Sequence, residues 1–274
     1  MPAVGCRFDT RGQGLFLFGI DPLYSLSGFV VGIIVGLTGV GGGSLMTPLL
    51  ILLFNVHPAT AVGTDLLYAA LTKSAGTLMH GVNRNVDWTI VLKLGLGSVS
   101  AAAVTLWILS GLHADPAATK LISQVLGGML IVTALSLVAR RWLLGFARSH
   151  RELTPTTQTA LTIGTGVVIG VLVSISSVGA GALGVTALML LYPRLPLLRV
   201  VATDVAHAVP LTAVAGLGHW AIGNVDGGML ASLLVGSIPG IVLASWFSPK
   251  VPEAVLRLLL GGVLLLVGAK LLIG

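Results

Sequence analysis

Three charged side chains, Asp65, Lys73 and Asp204, stand inside otherwise apolar stretches of this sequence. A charge at the centre of a lipid bilayer costs about 2.5–3.5 kcal/mol on the insertion scale, so in a membrane each of them needs a partner or an aqueous cavity. Lys73 is two helical turns beyond Asp65 in sequence, which is about 12 Å along a helix and on a different face. The sequence therefore predicts that Lys73 either pairs with Asp204 or faces a cavity in which it holds an anion.

The two aspartates occur in the same short pattern, because each directly follows a threonine, Thr64 or Thr203. A carboxylate near the start of a helix suits the positive end of the helix dipole, so one interpretation is a helix cap. The other interpretation is a protonatable carboxylate that lines a transport pathway. His207 lies one turn after Asp204 on a similar face, and this spacing predicts a carboxylate–imidazole pair that relays a proton.

These charged residues belong to a sequence that is written twice. The stretch GFVVGIIVGLTGVGGGSLMTPLLILLF from Gly28 recurs as GVVIGVLVSISSVGAGALGVTALMLLY from Gly166. A repeated apolar unit with a glycine-interrupted segment in each half is typical of secondary transporters, whose substrate sites lie at such interruptions. After a one-residue insertion the following pairs correspond: Thr64-Asp65 and Thr203-Asp204, His80 and His219, Asn85-Val86-Asp87 and Asn224-Val225-Asp226, and Trp107 and Trp246.

The interruption in each copy is a cluster of glycines. A helix that restarts after such a break exposes unpaired N–H groups and a partial positive charge, which bind anions without a basic side chain. The alternative interpretation is close packing between membrane helices, which small residues also permit. The residues predicted to bind the substrate are Gly39, Gly41, Gly42, Gly43, Ser44, Thr64 and Lys73 in the first copy, and Gly179, Gly181 and Thr203 in the second.

Two histidines, His80 and His219, precede the two Asn-Val-Asp motifs near predicted helix ends. We expect them to bond helix-end carbonyls or the carboxylates of Asp87 and Asp226, which is a structural role. No two histidines stand four residues apart on one predicted helix, and Cys6 is the only cysteine, so the sequence predicts no metal site and no intramolecular disulfide. It also contains no phosphate-loop motif, and we expect no cofactor.

Composition limits the class of protein. Only 9% of the 274 residues are charged, and the mean hydropathy is +1.02. Soluble domains carry roughly 25% charged residues, and a membrane span needs about 20 apolar residues. The chain is therefore predicted to be a multi-pass membrane protein, and we expect it to lie in the bacterial inner membrane. The net charge of +6 does not indicate a nucleic-acid surface, since the excess lies in loops, above all at Arg140, Arg141, Arg148 and Arg151, and predicts a cytoplasmic loop there.

The long apolar runs lack the alternation of barrel strands, so an all-α integral membrane protein is predicted. The first two segments of each copy are too short to cross a hydrocarbon core of about 30 Å alone. The predicted helical segments are 24–37, 44–54, 59–80, 88–111 and 118–139 in the first copy, and 160–175, 182–192, 199–220, 227–247 and 253–273 in the second.

Two topologies are compatible with these segments. If each short pair forms a V-shaped hairpin, each copy has five membrane segments, the second copy is inverted, and both termini lie outside. If each pair forms one broken crossing, the copies are parallel and both termini lie inside. We favour the inverted form, because it also places Arg194 and Arg199 in the cytoplasm. The expected domains are an N-terminal segment 1–23, a first repeat 24–139, a basic cytoplasmic linker 140–157 and a second repeat 158–274.

The combined motifs resemble a known family. The GVGGG break, the apolar half-helix with Pro48, the stretch ATAVGT from Ala59, and the His80-Gly81 and NVDW motifs are all part of a repeated pattern. This pattern resembles the TauE/SafE family of sulfite and organosulfonate exporters, and the resemblance extends over nearly the whole chain beyond about residue 24. It implies a multi-spanning carrier of small sulfur-containing anions, with the glycine breaks and the threonine motifs at its site. Where members often carry Ser or another small residue after the threonine, this chain has Asp65 and Asp204.

The function predicted is secondary transport of sulfite or an organosulfonate by alternating access, with Asp65, Asp204 or His207 carrying a coupling proton. The alternative is a cation carrier in which Asp65 and Asp204 are ligands. The expected partners are a small anionic substrate and the lipid bilayer, with a homo-oligomer left open and no nucleic acid. No motif of a hydrolase is present, so an enzyme is not predicted.

Overall fold

Ten α-helices make up the part of the chain that the structure, a computed structural model, describes: residues 20–38, 43–82, 85–111, 116–149, 154–247 and 253–273. No strand occurs among these residues, so the all-α prediction is confirmed. Four of the described helices contain stretches long and apolar enough to cross a membrane: Trp88–Gly111, Pro155–Ser176, Leu197–Ala221 and Gly227–Ala244. In chain order the helices are α1 (Pro22–Thr38), α2 (Gly43–Phe54), α3 (Pro58–Val82), α4 (Trp88–Gly111), α5 (Pro116–Ser149), α6 (Pro155–Ser176), α7 (Ala182–Leu191), α8 (Leu197–Ala221), α9 (Gly227–Phe247) and α10 (Glu253–Ile273).

The helix bounds differ most from the predicted ones in the middle of the chain. The segment predicted at 118–139 continues as α5 to Ser149 and has 34 residues, which corresponds to about 51 Å. Arginine, leucine and alanine are good helix formers, so the basic stretch extends the helix instead of starting a loop. The first part of the predicted linker 140–157 is therefore helical.

The two repeats are interlocked. The first helix of each repeat packs along the fourth helix of the other, α1 on α9 and α6 on α4. Glycines allow this, because a Cβ atom at Gly32 would lie 2.5 Å from the carbonyl oxygen of Ser237, and one at Gly170 would lie 2.3 Å from that of Ser98. No side chain fits at such distances, so the helix backbones touch directly, as in other small-residue interfaces between membrane helices.

The third helices of the two repeats, α3 and α8, pack against each other. Near the start of α3, Gly63 lies against Asn224, which follows the end of α8; further along α3, Leu67 lies against Gly216. Later positions in α3 thus meet earlier positions in α8, so the two equivalent helices run antiparallel.

The second helix of each repeat is short. With 12 and 10 residues, α2 and α7 are about 18 Å and 15 Å long, roughly half of the hydrocarbon thickness. Each follows a longer helix from which it diverges around an apolar cleft, α2 from α1 and α7 from α6. On its other side α2 packs on α3, while α7 packs on α5 and α8. The short helix α2 therefore lies against α3, which carries Asp65, and the short helix α7 lies against α8, which carries Asp204.

Candidate functional site

The second glycine break is a sharp turn between α6 and α7. Backbone φ is 58° at Ser177, 114° at Gly179 and 136° at Gly181, and the last two values suit residues without a side chain. The N–H groups of Leu183 and Gly184 both donate to the carbonyl oxygen of Gly179, at 3.2 and 3.3 Å. The first turn of α7 is therefore partly closed by the break itself.

The first glycine break is only bounded by the described residues. Gly39, Gly41 and Gly42 lie outside them, between the end of α1 and the start of α2 at Gly43. The side chain of Ser44 lies outside them as well. The predicted roles of these residues stay predictions.

Asp65 on α3 is fully buried and joins three elements. Its Oδ2 atom accepts hydrogen bonds from the hydroxyl of Thr47 at 2.5 Å and from the hydroxyl of Ser177 at 2.8 Å. Thr47 belongs to α2 and Ser177 to the second glycine break. Because two donors converge on one oxygen, this carboxylate is held as a hydrogen-bond acceptor between α2 and the second glycine break.

Lys73 reaches from α3 into the second glycine break. It is 5% exposed, and its Nζ atom donates to the carbonyl oxygen of Ala180 at 2.8 Å. It lies within electrostatic range of both Asp204 and Asp65. The equivalent residue in the second repeat is Thr212, whose hydroxyl bonds a carbonyl of its own helix. The two repeats therefore contribute unequally to this cluster.

Asp204 on α8 is buried, and neither of its oxygens has a hydrogen-bond partner among the described residues. It lies against the first turn of α7, where a Cβ atom at Gly184 would overlap the Oδ1 atom of Asp204. Glycine at this position makes room for the carboxylate but offers it no donor, because its N–H is bonded to Gly179. Asp204 is close to Lys73 but forms no ion pair with it at contact distance.

His207 does not form the predicted pair with Asp204. Its Nε2 atom lies 2.8 Å from the hydroxyl of Ser98 on α4, and its Nδ1 atom has no partner in the described part of the chain. The equivalent position in the first repeat is Tyr68, which is fully buried near Ser237, the equivalent of Ser98. The His207 imidazole thus bonds the Ser98 hydroxyl on α4 and not the Asp204 carboxylate.

The two threonines of the repeated motif, Thr64 and Thr203, have matching contacts away from Asp65, Lys73 and Asp204. The Thr64 hydroxyl accepts a hydrogen bond from the backbone N–H of Asp226 at 3.1 Å, and the Thr203 hydroxyl accepts one from that of Asp87 at 3.0 Å. Each aspartate side chain in turn caps the helix that follows, α9 or α4, and Asp226, for example, accepts from the N–H of Met229. Each threonine thus holds a loop of the other repeat.

His219 bonds a helix-end carbonyl, one of the two alternatives expected for it. Its Nε2 atom lies 2.8 Å from the carbonyl oxygen of Ser174, near the end of α6. The side chain of His80 lies outside the described residues, so its role stays a prediction. Asp87 also faces Arg199, with an O–N distance of 3.8 Å at a half-exposed site.

The structure unites Asp65, Lys73 and Asp204 with the second glycine break in one buried group, which we name the charged cluster. Thr47, which bonds Asp65, and Ser98, which bonds His207, were not among the predicted site residues, and neither was the buried Tyr68. The repeat carries a signal for two of them, since Tyr68 corresponds to His207 and Ser98 to Ser237. Among the described residues, no group of three His, Cys, Asp or Glu side chains lies together as a metal site would require.

The charged cluster has two carboxylates and one ammonium group, so with all three ionised its charge is negative. Such a buried group takes up a cation or a proton in preference to staying charged. Protonation of one carboxylate would make the cluster neutral and remove its net repulsion of an anion. The cluster therefore has the chemistry to link the binding of an ion to the binding of a proton.

Relatives of this chain are named as membrane transporters. It is 38% identical over 253 residues to "Probable membrane transporter protein YjnA" of Bacillus subtilis (strain 168), covering 90% of this chain and 98% of that protein. It is 30% identical to "Probable membrane transporter protein YdhB" of the same organism, over 84% of this chain and 91% of the relative. It is also 25% identical to "Probable membrane transporter protein MJ0441" of Methanocaldococcus jannaschii, over 92% of this chain and 95% of the relative. No solved structure matches the chain.

The family model described as "Sulfite exporter TauE/SafE" matches residues 24–271. This span includes all ten helices except the first residues of α1 and the last ones of α10. The chain is a multi-pass protein of the cell membrane and not an enzyme, and it belongs to the TauE/SafE family of membrane transporters.

Proposed function

We propose that this protein carries a small sulfur oxyanion, sulfite or an organosulfonate, across the cytoplasmic membrane, and that a proton moves with each transport cycle. The name of the family supports the substrate class. The charged cluster supports the place of binding, since it lies where both half-helices meet α3 and α8.

The observation that carries the proposal is the position of Lys73. A buried ammonium group is costly in a membrane, and here it bonds a carbonyl of the glycine break. When a substrate anion enters the second glycine break, Lys73 is the cation available to it. Gly179 and Gly181 line the same place, and without side chains they would let the anion approach the backbone. The Ser177 hydroxyl lies beside them but donates to Asp65.

The antiparallel packing of α3 and α8 supports the inverted arrangement of the repeats and the alternating-access mechanism. In an inverted duplication, equivalent helices run in opposite directions through the bilayer, and the halves exchange roles when the site changes the side it faces. In this mechanism the two interlocked halves would shift along the contacts of α1 with α9 and of α4 with α6, where glycines let the helix backbones touch.

A cation carrier is the second candidate. It is favoured by the oxygens without hydrogen-bond partners in the described residues, which are Oδ1 of Asp65 and both oxygens of Asp204. Carboxylate oxygens are hard ligands of the kind that alkali and alkaline-earth cations prefer, and so is the Ala180 carbonyl oxygen. Lys73 already donates a hydrogen bond to the Ala180 carbonyl, and its positive charge would repel a cation there. For this reason we place the anion carrier first.

Reconstituted vesicles distinguish the two candidates. We expect labelled sulfite or methanesulfonate to enter vesicles that contain the protein, and unlabelled sulfonates to compete while alkali cations do not. Lys73→Met should weaken apparent anion affinity by at least about tenfold, which corresponds to about 1.4 kcal/mol. The matched control is Lys93→Met, since Lys93 on α4 is half-buried and bonds Thr159 instead of the cluster. Competition by a cation and indifference to Lys73→Met would contradict the proposal.

A further inference from the structure

We propose that Asp204 carries the coupling proton. In this proposal Lys73 stays bonded to the Ala180 carbonyl, in the second glycine break, only while Asp204 is protonated. The inference rests on the proposed function and names the proton carrier within the same cluster. Asp65 is assigned the other role, that of a permanent counter-charge to Lys73.

The hydrogen bonds of the two equivalent carboxylates differ. Asp65 accepts two hydroxyl hydrogens, from Thr47 and Ser177, and such donors stabilise the ionised form. Asp204 is equally buried but accepts no hydrogen bond from any described residue. An ionised carboxylate that is buried without hydrogen-bond partners is strongly unfavourable, so a proton on Asp204 removes most of this cost.

The helix turn beside Asp204 explains why it lacks donors. Asp204 lies against Gly184 in the first turn of α7, a place where backbone N–H groups would ordinarily stabilise an anion. Here the N–H groups of Leu183 and Gly184 are already bonded to Gly179, and that of Val185 is bonded to Gly181. The space for the carboxylate is present, whereas the hydrogen bonds that would hold it ionised are used elsewhere.

The other ionisable groups around Asp204 are few. From α3 it is faced by Lys73, with Asp65 beyond, and on α8 itself His207 follows one turn later. The described residues of α6 and α7 contain no ionisable side chain, and the lysine of α4, Lys93, is bonded to Thr159. With Asp204 protonated, Asp65 and Lys73 balance each other and the cluster is neutral.

Loss of the proton creates a competition for Lys73. When Asp204 releases its proton to water on the side to which the site is open, its O–H bond breaks and a carboxylate is left. Lys73 then has a charged acceptor nearby in place of the neutral carbonyl of Ala180. Because an ionised carboxylate attracts an ammonium group more strongly than a neutral carbonyl does, Lys73 moves to Asp204 and the second glycine break loses its bond to α3.

This exchange links the proton to the substrate site. Ala180 lies in the turn that joins α6 to α7, so the bond from Lys73 ties that turn to α3. With the proton present, the turn is tied and the cluster is neutral until an anion enters. Without the proton, the turn is released, and the excess negative charge repels an anion. Proton and anion are thus bound together and released together.

Infrared difference spectroscopy of the purified full-length protein tests the inference without a substrate. At neutral pH we expect the carbonyl stretch of a protonated carboxyl group in the wild type and in Asp226→Asn, and its loss in Asp204→Asn. Asp226→Asn is the matched control, because it makes the same change at an exposed carboxylate outside the charged cluster. Absence of the band from the wild type, or its persistence in Asp204→Asn, would overturn the inference. If Asp204→Asn does not fold, Asp204→Ser serves the same purpose.

Transport provides the second measurement. Methanesulfonate keeps its single charge at all relevant pH values, so any stimulation by a pH gradient reflects a proton bound by the protein. We expect the ratio of uptake with a gradient to uptake without one to exceed unity in one gradient direction for the wild type, and to fall to unity in Asp204→Asn. A gradient effect that survives in Asp204→Asn would refute the role of Asp204. A wild type that carries neither sulfite nor methanesulfonate would refute the proposed function, while the infrared result would still judge the proton site.

Discussion

At the scale of single residues, the charged cluster shows that equal sequence motifs have acquired unequal environments. Asp65 and Asp204 occupy the same place in the two repeats, yet only Asp65 has hydroxyl donors. The difference comes from their neighbours: Ser177, which donates to Asp65, corresponds to Gly39, and Thr47 corresponds to Val185. In the proposed mechanism the coupling proton on Asp204 and the counter-charge to Lys73 on Asp65 therefore belong to different repeats.

Removal of one hydroxyl donor from Asp65 should destabilise the fold measurably. In Ser177→Ala the carboxylate loses one of its two hydrogen bonds, and we expect a cost of about 1–3 kcal/mol because the acceptor is charged and buried. Unfolding of the detergent-solubilised protein measures the change. Ser100→Ala is the control, since the exposed Ser100 bonds only carbonyls of its own helix. Equal effects of the two substitutions would show that the Ser177 bond does not stabilise Asp65.

At the scale of elements, the glycines of α6 have two distinct kinds of environment. A Cβ atom at Gly170 would lie 2.3 Å from the Ser98 carbonyl oxygen on α4, whereas one at Gly164 would meet nothing within 4 Å. The first is required for the contact between interlocked repeats, and the second is not.

This contrast predicts opposite effects of the same substitution on one helix. Gly170→Ala should push α4 and α6 apart and destabilise the protein by about 1–3 kcal/mol, as overpacking does. Gly164→Ala should be neutral, or stabilising by up to about 1 kcal/mol through the higher helix propensity of alanine. Thermal unfolding of the two variants in the same detergent makes the comparison. The assignment of close packing to Gly170 fails if both variants behave alike.

Thr64 and Thr203 each connect a helix of one repeat to a loop of the other, through the backbone N–H of Asp226 and of Asp87. Thr64→Val and Thr203→Val should each cost about 0.5–1.5 kcal/mol, the usual contribution of a hydrogen bond, because each leaves the N–H of Asp226 or Asp87 unpaired. The double variant should show the sum of the two effects, since the bonds are separate. Unfolding in a denaturing detergent measures all three variants. A deviation well beyond about 0.5 kcal/mol from additivity would indicate that the two bonds form one coupled unit.

At the scale of the whole molecule, the unresolved choice in the sequence was between inverted and parallel repeats. The antiparallel packing of α3 and α8 is the arrangement that an inverted duplication requires. It also places the loop that follows each of these helices beside the start of the other.

The inverted topology predicts the side on which the N-terminus lies. Cys6 is the only cysteine, so it is a natural probe, and a membrane-impermeant maleimide should label it from outside intact cells. A Cys6→Ser, Ser149→Cys variant should be labelled only in inside-out vesicles, because the positive-inside rule predicts that the basic end of α5 is cytoplasmic. Labelling of Cys6 from the cytoplasmic side would favour the parallel arrangement.

The sequence alone is sufficient for the fold class, for the helices and for the identity of the buried charges. Apolar runs, glycine clusters and turn residues are local signals, and most helix bounds were predicted to within a few residues. The exception was α5, which continues as a helix to Ser149. The charge of this basic stretch had led to the prediction of a loop, whereas its residues have high helix propensity. The repeat also pointed to Asp65, Lys73, Asp204 and the second glycine break before any of their contacts was known.

Which of these groups meet was decided by packing between distant segments. The shared Thr-Asp motif does not predict which of Asp65 and Asp204 receives hydroxyl donors, that His207 bonds Ser98 or that Lys73 bonds Ala180. Those contacts exist because the repeats interlock, so that helices far apart in the chain bring their hydroxyls and carbonyls together. Pairwise hydrogen bonds between such segments depend on atomic positions that only the complete arrangement of helices specifies.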